Sequence, residues 1–206
     1  MNRSKPDRII LATRNLHKLK EIREIMFDLP VELLSLRDFP GLPDVEETGE
    51  TFIENALIKA DTIYKLTGLL SIADDSGLEV YALKGAPGIH SARFAGPQRD
   101  TLANNEELLR RLKDVPDEQR GAQFRCVAAI VGSSFKEVLE GIVRGRIATG
   151  PRGDQGFGYD PLFIPEGYDQ TFAELGDEIK NKISHRALAF EKVKEVIKRN
   201  IFQLQS

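Results

Sequence analysis

The feature that most constrains the fold is a short apolar run that passes directly into two carboxylates, a hydroxyl and a glycine, Leu70-Ser71-Ile72-Ala73-Asp74-Asp75-Ser76-Gly77-Leu78. The run predicts a buried strand that ends at the aspartates, where open α/β sheets bind their ligands. Side chains alternate along a strand, so Asp74 and Asp75 are predicted to point to opposite sides, one toward a ligand and one bracing a turn. A carboxylate facing a ligand suits a hard cation such as Mg²⁺. The same residues also suit an ordinary Asp-Ser-Gly turn.

Composition limits the partners. The net charge of −3 comes from 29 basic and 32 acidic residues that are well mixed, which argues against a nucleic-acid polymer or an anionic membrane as partner. No apolar run approaches the roughly 20 residues that span a bilayer, and the N-terminus lacks the apolar segment of a signal peptide. The single cysteine, Cys126, excludes an intrachain disulfide and is expected in the core. The cytoplasm is therefore the expected location.

The first strand is predicted at 8–12, and an amphipathic helix follows from Asn15, its expected N-cap, to Pro30. A strand, a short loop and a helix start leave backbone N–H groups and the positive end of the helix dipole for an anion. The side chains of Thr13, Asn15, His17 and Lys18 add donors at this point. An ordinary capped helix with a solvated basic face is the alternative.

Further elements follow from periodicity and capping. A helix is predicted over 51–67, with Thr51 and Glu54 at capping-box spacing and with Ile53 on its apolar face. A helix over 100–113 is predicted to face Leu102 inward. The remaining predicted elements are a strand at 31–36, a β-hairpin of 122–131 and 136–149, a weak helix over 171–183, and a last helix capped by Ser184. The hairpin predicts a mixed sheet.

Two later stretches carry residues that suit a planar ligand. Phe157 lies between two glycines, which favours stacking on a nucleobase, an interaction worth about 1–3 kcal/mol. We expect Asp160 to bind a ring N–H, although Phe157 would also serve as an aromatic plug beneath the loop. His185 and Arg186 fall in the first turn of the last helix, where positive charge opposes the dipole. That conflict favours a ligand role for both, with Lys180 joining them.

Taken together, these stretches resemble the family of non-canonical purine nucleoside triphosphate pyrophosphatases (inosine/xanthosine triphosphate pyrophosphatases). The motifs occur in the family's order and span almost the whole chain. The matching stretches are Thr13-Arg14-Asn15-Leu16-His17-Lys18, Glu46-Glu47-Thr48-Gly49-Glu50-Thr51-Phe52-Ile53-Glu54-Asn55-Ala56, Ala73-Asp74-Asp75-Ser76-Gly77-Leu78, Gly85-Ala86-Pro87-Gly88-Ile89-His90-Ser91-Ala92-Arg93-Phe94, Gly156-Phe157-Gly158-Tyr159-Asp160-Pro161 and Ser184-His185-Arg186. The chain departs from the family at 152–155, where relatives more often carry a smaller, glycine-richer run.

The resemblance implies an elongated two-lobed α/β fold, a long mixed β-sheet flanked by helices with a central cleft, formed by residues 1–206 as a single domain and usually found as a homodimer. It implies Mg²⁺-dependent hydrolysis of ITP, dITP and XTP to the nucleoside monophosphate and pyrophosphate. Asp75 is then the catalytic proton acceptor and a metal ligand, and Glu47 is the second metal carboxylate. The implied substrate contacts are Thr13, Arg14, Asn15, Leu16, His17, Lys18, Ser76, Phe157, Gly158, Tyr159, Asp160, Lys180, His185 and Arg186.

Two other functions compete with this one. A phosphomonoesterase that forms an aspartyl-phosphate would explain paired aspartates, but such enzymes need Asp-x-Asp after the first strand, where this chain has Thr13-Arg14-Asn15. A nucleotide-sensing module would keep the phosphate loop and the aromatic residue, but has little use for a pair of metal-binding carboxylates.

Overall fold

The computed structural model describes residues 7–202. Within that range, six strands form one sheet in the order β2-β1-β3-β4-β5-β6. β1 pairs in parallel with β2 and β3, whereas β5 and β6 are antiparallel, so the predicted mixed sheet is confirmed. The strands are β1 (Asp7–Leu11), β2 (Val31–Ser35), β3 (Leu70–Val80), β4 (Gly121–Val131), β5 (Lys136–Ile147) and β6 (Phe163–Pro165).

Five α-helices accompany the sheet in the part of the chain that the structure describes, and the predicted caps explain where several of them begin. They are α1 (Leu16–Ile25), α2 (Phe52–Thr67), α3 (Thr101–Arg111), α4 (Phe172–Ile183) and α5 (His185–Ile197). Asn15 caps α1, and Thr51 and Glu54 form the predicted capping box of α2. Gly68 ends α2 in the left-handed conformation, with a φ of 68°.

The described residues divide into two compact units. The first contains residues 7–75, 127–140 and 189–202, and the second contains residues 76–126 and 141–188. The first unit has its own core, to which β1 contributes Ile9 and Ile10 and α2 contributes Ala60 and Ile63. The core of the second unit is an aromatic and aliphatic cluster that includes Leu78, Leu108, Phe124, Phe163 and Phe172. Cys126 is buried, as predicted. The elongated shape, the lobes and the cleft stay predictions.

The prediction that the strand ends at the aspartates is wrong. β3 continues through Asp74 and Asp75 to Val80. The reason is that apolar alternation resumes after the polar residues, because Leu78 and Val80 are both fully buried. The two aspartates therefore lie in the middle of a strand, and neither braces a turn.

Other differences are smaller. Ile53 and Leu102 were expected to face inward but are 42% and 74% exposed. Each lies to one side of the buried face of its helix, which contains Phe52, Asn55 and Ala56 in α2 and Asn104, Asn105 and Leu108 in α3. α1 ends at Ile25, before Pro30, and α4 contains a kink at Gly176, where φ is 77°. The three-residue strand β6 was not predicted.

Candidate functional site

The predicted phosphate loop joins β1 to α1 in the first unit. The Oδ1 atom of Asn15 accepts hydrogen bonds from the backbone N–H groups of His17 and Lys18, at 3.0 and 3.3 Å. The hydroxyl of Thr13 accepts one from the N–H of Asn15, at 3.1 Å. These bonds hold the loop in a fixed shape and confirm Asn15 as the N-cap. Leu16 begins the helix and is exposed.

Arg14 is used within the protein. Its guanidinium donates to the carbonyls of Leu36 and Leu42 and to the carboxylate of Asp44, each at 2.7 Å. The side chain therefore fastens the segment after β2 to the phosphate loop. Lys18, another cation of the loop, pairs with a buried carboxylate. Its Nζ lies 2.9 Å from Oδ2 of Asp74, whereas the Asp44 carboxylate that Arg14 contacts is exposed.

The carboxylates predicted to hold a metal converge on a lysine that the sequence did not indicate. The Nζ of Lys59 lies 2.7 Å from Oε1 of Glu47 and 3.4 Å from Oδ1 of Asp75. It also donates to the backbone carbonyl of Asp74 at 2.7 Å. Glu47 and Asp75 are therefore both within reach of one cation.

Helix α2 positions this cluster. Asn55 and Lys59 are four residues apart and so project from the same face of the helix. The Nδ2 of Asn55 donates to Oδ2 of Asp75 at 3.2 Å, and its Oδ1 accepts from the N–H of Gly49 at 2.8 Å. Any Cβ at Gly49 would lie 2.6 Å from the Cβ of Glu54, so only glycine allows this close approach of the acidic turn to the helix. Sequence reasoning missed Asn55 and Lys59, although their helical spacing after the acidic turn was the available signal.

The electrostatics of the cluster favour a cation. Burial raises the pKa of the Asp75 carboxyl above its ordinary value, and the attraction of Lys59 and Lys18 offsets this only in part. Burial lowers the pKa of Lys59, but the attraction of the surrounding carboxylates outweighs this effect, so the pKa of Lys59 is raised.

The carboxylates of the cluster also suit a metal ion, because negatively charged oxygen donors are the ligands that Mg²⁺ prefers. Within residues 7–202 there is no cluster of three or more His, Cys, Asp or Glu side chains arranged to hold a metal. Two carboxylates completed by water suit Mg²⁺, which usually keeps several waters.

The residues predicted to bind the base lie together in the second unit. The side chain of Lys180 is almost fully buried and pairs with Oδ2 of Asp160. Its Nζ lies 4.5 Å from the centre of the Phe157 ring, and the guanidinium carbon of Arg186 lies 5.8 Å from the same centre. Arg186 also donates to the hydroxyl of Ser76 at 2.9 Å. The Phe157 ring therefore lies within about 6 Å of two buried cations, a distance at which a cation and an aromatic face attract each other.

The other predicted base contacts have structural partners. Asp160 accepts from the N–H of Phe157 at 2.7 Å, and Tyr159 donates its hydroxyl to the carbonyl of Ser91 at 2.8 Å. The ring of His185 stacks on Phe124, with centroids 4.7 Å apart. Gly158 has a φ of 64°, a conformation that glycine adopts readily. The bonds of Tyr159 and Asp160 hold the loop in shape around Phe157, whereas His185 packs on the core residue Phe124.

A cavity of about 540 Å³ lies elsewhere in the second unit. Its walls include Tyr81, Arg144, Arg146 and Tyr168, and it contains no residue of either cluster. None of the helices in the described part of the chain is long and apolar enough to span a membrane.

The comparison with known proteins settles the family. The model of the Ham1 family matches residues 9–196. The chain belongs to the Ham1 family. A relative from Desulforamulus reducens is 49% identical over 193 residues, which cover 93% of this chain and 96% of the relative, and one from Bacillus subtilis is 46% identical over 189 residues, covering 91% and 96%. Both relatives are named dITP/XTP pyrophosphatase, so the predicted family of nucleotide pyrophosphatases is confirmed.

Solved structures of this family agree with the fold. A HAM1 protein from Coxiella burnetii matches with a TM-score of 0.85 at 41% identity, covering 94% of this chain and 99% of that one. A dITP/XTP pyrophosphatase from Mycobacterium abscessus matches with a TM-score of 0.74 at 46% identity, covering 90% and 98%. The predicted mixed α/β class is confirmed by both.

Proposed function

We propose that this protein is a Mg²⁺-dependent pyrophosphohydrolase that converts ITP, dITP and XTP to the nucleoside monophosphate and pyrophosphate. The observation that carries the proposal is the convergence of Glu47 and Asp75 on the Nζ of Lys59, in the unit that also holds the Thr13–Lys18 loop. Carboxylates for a metal, cations for phosphates and a capped helix start are the parts that phosphoanhydride hydrolysis requires. The name of the relatives, dITP/XTP pyrophosphatase, supports the substrate class in the proposal.

In this mechanism, Glu47 and Asp75 would hold Mg²⁺, which when bound polarises the phosphate oxygens. Asp75 accepts the proton of the attacking water as the general base. Lys18 and Lys59 supply positive charge for the phosphates as the α–β anhydride bond breaks and pyrophosphate leaves. Asn55 holds the Asp75 carboxylate at the correct angle through the bond to Oδ2.

Base selection is assigned to the second unit. Phe157 provides the stacking surface, and Lys180 and Arg186 donate to the 6-oxo group of hypoxanthine or xanthine. Adenine has an amino group at that position, which would set a hydrogen-bond donor against the donors of Lys180 and Arg186, a mismatch that costs about 1–3 kcal/mol or more. Asp160 is already bonded to Lys180 and to the N–H of Phe157, so we assign it to shaping the loop as well as to the base. The homodimer and the cytoplasmic location stay predictions.

A substrate panel tests the proposal. ITP, dITP and XTP should be turned over with kcat/KM at least about 100-fold above that for ATP, in line with rejection of a mismatched polar group. Asp75→Asn should lose about 10³-fold in kcat, within the usual range for a general base, and keep the unfolding temperature of the parent. Asp117→Asn, a change at a carboxylate that is 79% exposed, is the control and should be unaffected. Equal turnover of ATP, or a nearly active Asp75→Asn variant, would refute the assignment.

A further inference from the structure

Asn105 reaches the loop that carries Phe157 from a distant part of the sequence. It lies on α3 and is 8% exposed. Its Nδ2 donates to the carbonyl oxygen of Gly158 at 3.1 Å, across 53 positions of sequence. That carbonyl belongs to the peptide unit between Gly158 and Tyr159, so the bond restrains the loop one residue beyond Phe157 and limits how far the residue that carries the ring can move.

The bond is made at a cost. The Oδ1 of Asn105 is buried and has no hydrogen-bond partner within the described residues. Reversing the amide would place Oδ1 against the Gly158 carbonyl, so the observed orientation is the one that the loop demands. A buried acceptor without a partner costs about 1–3 kcal/mol. Most buried side-chain polar atoms are hydrogen-bonded, so an amide with one bonded end needs an explanation.

The neighbouring Asn104 shows that contrast. It is also buried, on the same helix, and both ends of its amide are bonded. Its Nδ2 donates to the carbonyl of Ala92 at 3.1 Å, and its Oδ1 accepts from the N–H of Ala95 at 2.7 Å. Asn104 thus binds the backbone of the loop at Ala92 and Ala95, and this loop contains none of Phe157, Lys180 and Arg186. The two residues therefore differ in the loop that they hold and in whether the amide oxygen has a partner.

We propose that Asn105 is a positioning residue for base binding, which acts by holding the Gly158 carbonyl and thereby the ring of Phe157. This proposal rests on the base-binding role given to Phe157 under the proposed function. Without the amide donor, the loop gains freedom at Gly158, whose φ of 64° is available without strain. The ring then spends less time in the orientation that stacks on a purine, so substrate binding weakens while the carboxylates of the first unit are untouched.

Kinetics provide the first test. Asn105→Ala should raise KM for ITP about tenfold and change kcat by less than about twofold, because the lost interaction is with the bound base in both ground and transition states. Asn105→Asp, which keeps the size but replaces the donor with a charged acceptor, should raise KM at least as much. Asn104→Ala removes two hydrogen bonds and should lower the unfolding temperature, but it should leave KM unchanged. An unchanged KM in both Asn105 variants, or an equal rise in Asn104→Ala, would overturn the proposal.

A second readout does not depend on activity. The chain contains no tryptophan, so Phe157→Trp introduces a single indole as a reporter on this loop. In that background, Asn105→Ala should increase the acrylamide quenching constant of the indole about twofold, whereas Asn104→Ala should not change it. Equal quenching in all three proteins would refute the positioning role, even if the nucleotides are hydrolysed as proposed. If no nucleotide is hydrolysed, the proposed function fails and the quenching still decides whether Asn105 holds the loop.

Discussion

Lys18 Nζ lies 2.9 Å from Oδ2 of Asp74, whose side chain is 1% exposed. Asp75, the next residue, binds Asn55 and Lys59 instead. The two aspartates are therefore distinct: Asp75 belongs to the carboxylate cluster, and Asp74 orients the lysine of the phosphate loop. The strand geometry explains the division, because adjacent side chains in β3 point to opposite faces.

Asp74→Asn should weaken phosphate binding more than it slows chemistry. The amide has no charge to hold Lys18, so KM for ITP should rise about tenfold, equivalent to about 1.4 kcal/mol, with a smaller change in kcat. Steady-state kinetics of the variant and of Asp117→Asn would show this. A loss of kcat as complete as that expected for Asp75→Asn would contradict the division of roles.

Lys59→Met should make the protein depend on Mg²⁺ for stability. Removing the ammonium leaves two carboxylates close together without a cation. Breaking a buried ion pair in this way lowers the free energy of unfolding by up to about 3–5 kcal/mol. A divalent cation should restore part of it, so MgCl₂ should raise the unfolding temperature of the variant more than that of the parent.

Lys194→Met is the matched control for that experiment. Lys194 is also buried and also contacts two carboxylates and a carbonyl, those of Asp28, Glu191 and Ile25, at 2.7, 3.1 and 3.2 Å. Its carboxylates are substantially exposed, so Mg²⁺ should give no comparable recovery. Equal responses of the two variants to Mg²⁺ would argue against a metal site at Glu47 and Asp75.

Gly153→Ala should destabilise the loop that precedes Phe157. Gly153 has a φ of 80°, and a Cβ there would lie 2.4 Å from the carbonyl carbon of Ala173. We expect a loss above about 1 kcal/mol, or a fall of at least roughly 2–4 °C in unfolding temperature. Gly150→Ala should be nearly neutral in the same thermal scan, because a Cβ added at Gly150 would meet no other part of the protein within 4 Å. A neutral Gly153→Ala would mean that the loop packs against α4 differently.

Glu107→Gln should lower the free energy of unfolding near neutral pH but not at pH 2, where the Glu107 carboxylate becomes protonated. Hydrogen bonds from Arg110 and Arg111 lower the pKa of Glu107 from 4.5 to about 2. A lowered pKa stabilises the folded state above pH 4.5, and the contribution is lost as the pH falls toward 2. Urea unfolding at pH 7 and at pH 2 should therefore separate parent and variant only at pH 7, and less so in high salt. A gap that widens at low pH would show the opposite linkage.

Local chemistry made much of this fold predictable. Asn15, Thr51 and Gly68 begin or end helices for reasons that can be read from neighbouring residues. The course of β3 was harder to predict, because the three polar residues after Ala73 are typical of a turn and only the later burial of Leu78 and Val80 shows that the strand continues.

For the candidate site, the sequence indicated some residues and missed others. Motifs indicated Asp75 and Glu47, but Lys59 lies on a helix whose pattern suggests a solvated lysine, and only the fold shows that it is buried among carboxylates. Asn105 was missed for a similar reason, since its partner is a backbone carbonyl that no side-chain pattern reveals.

The products of ITP hydrolysis test the central claim most directly. With Mg²⁺ present, anion-exchange chromatography and a pyrophosphate assay should find IMP and pyrophosphate in equal amounts, and Asp75→Asn should form neither at a comparable rate. IDP with orthophosphate as the products would contradict cleavage of the α–β anhydride and, with it, the roles assigned here to Asp75, Glu47 and Lys59.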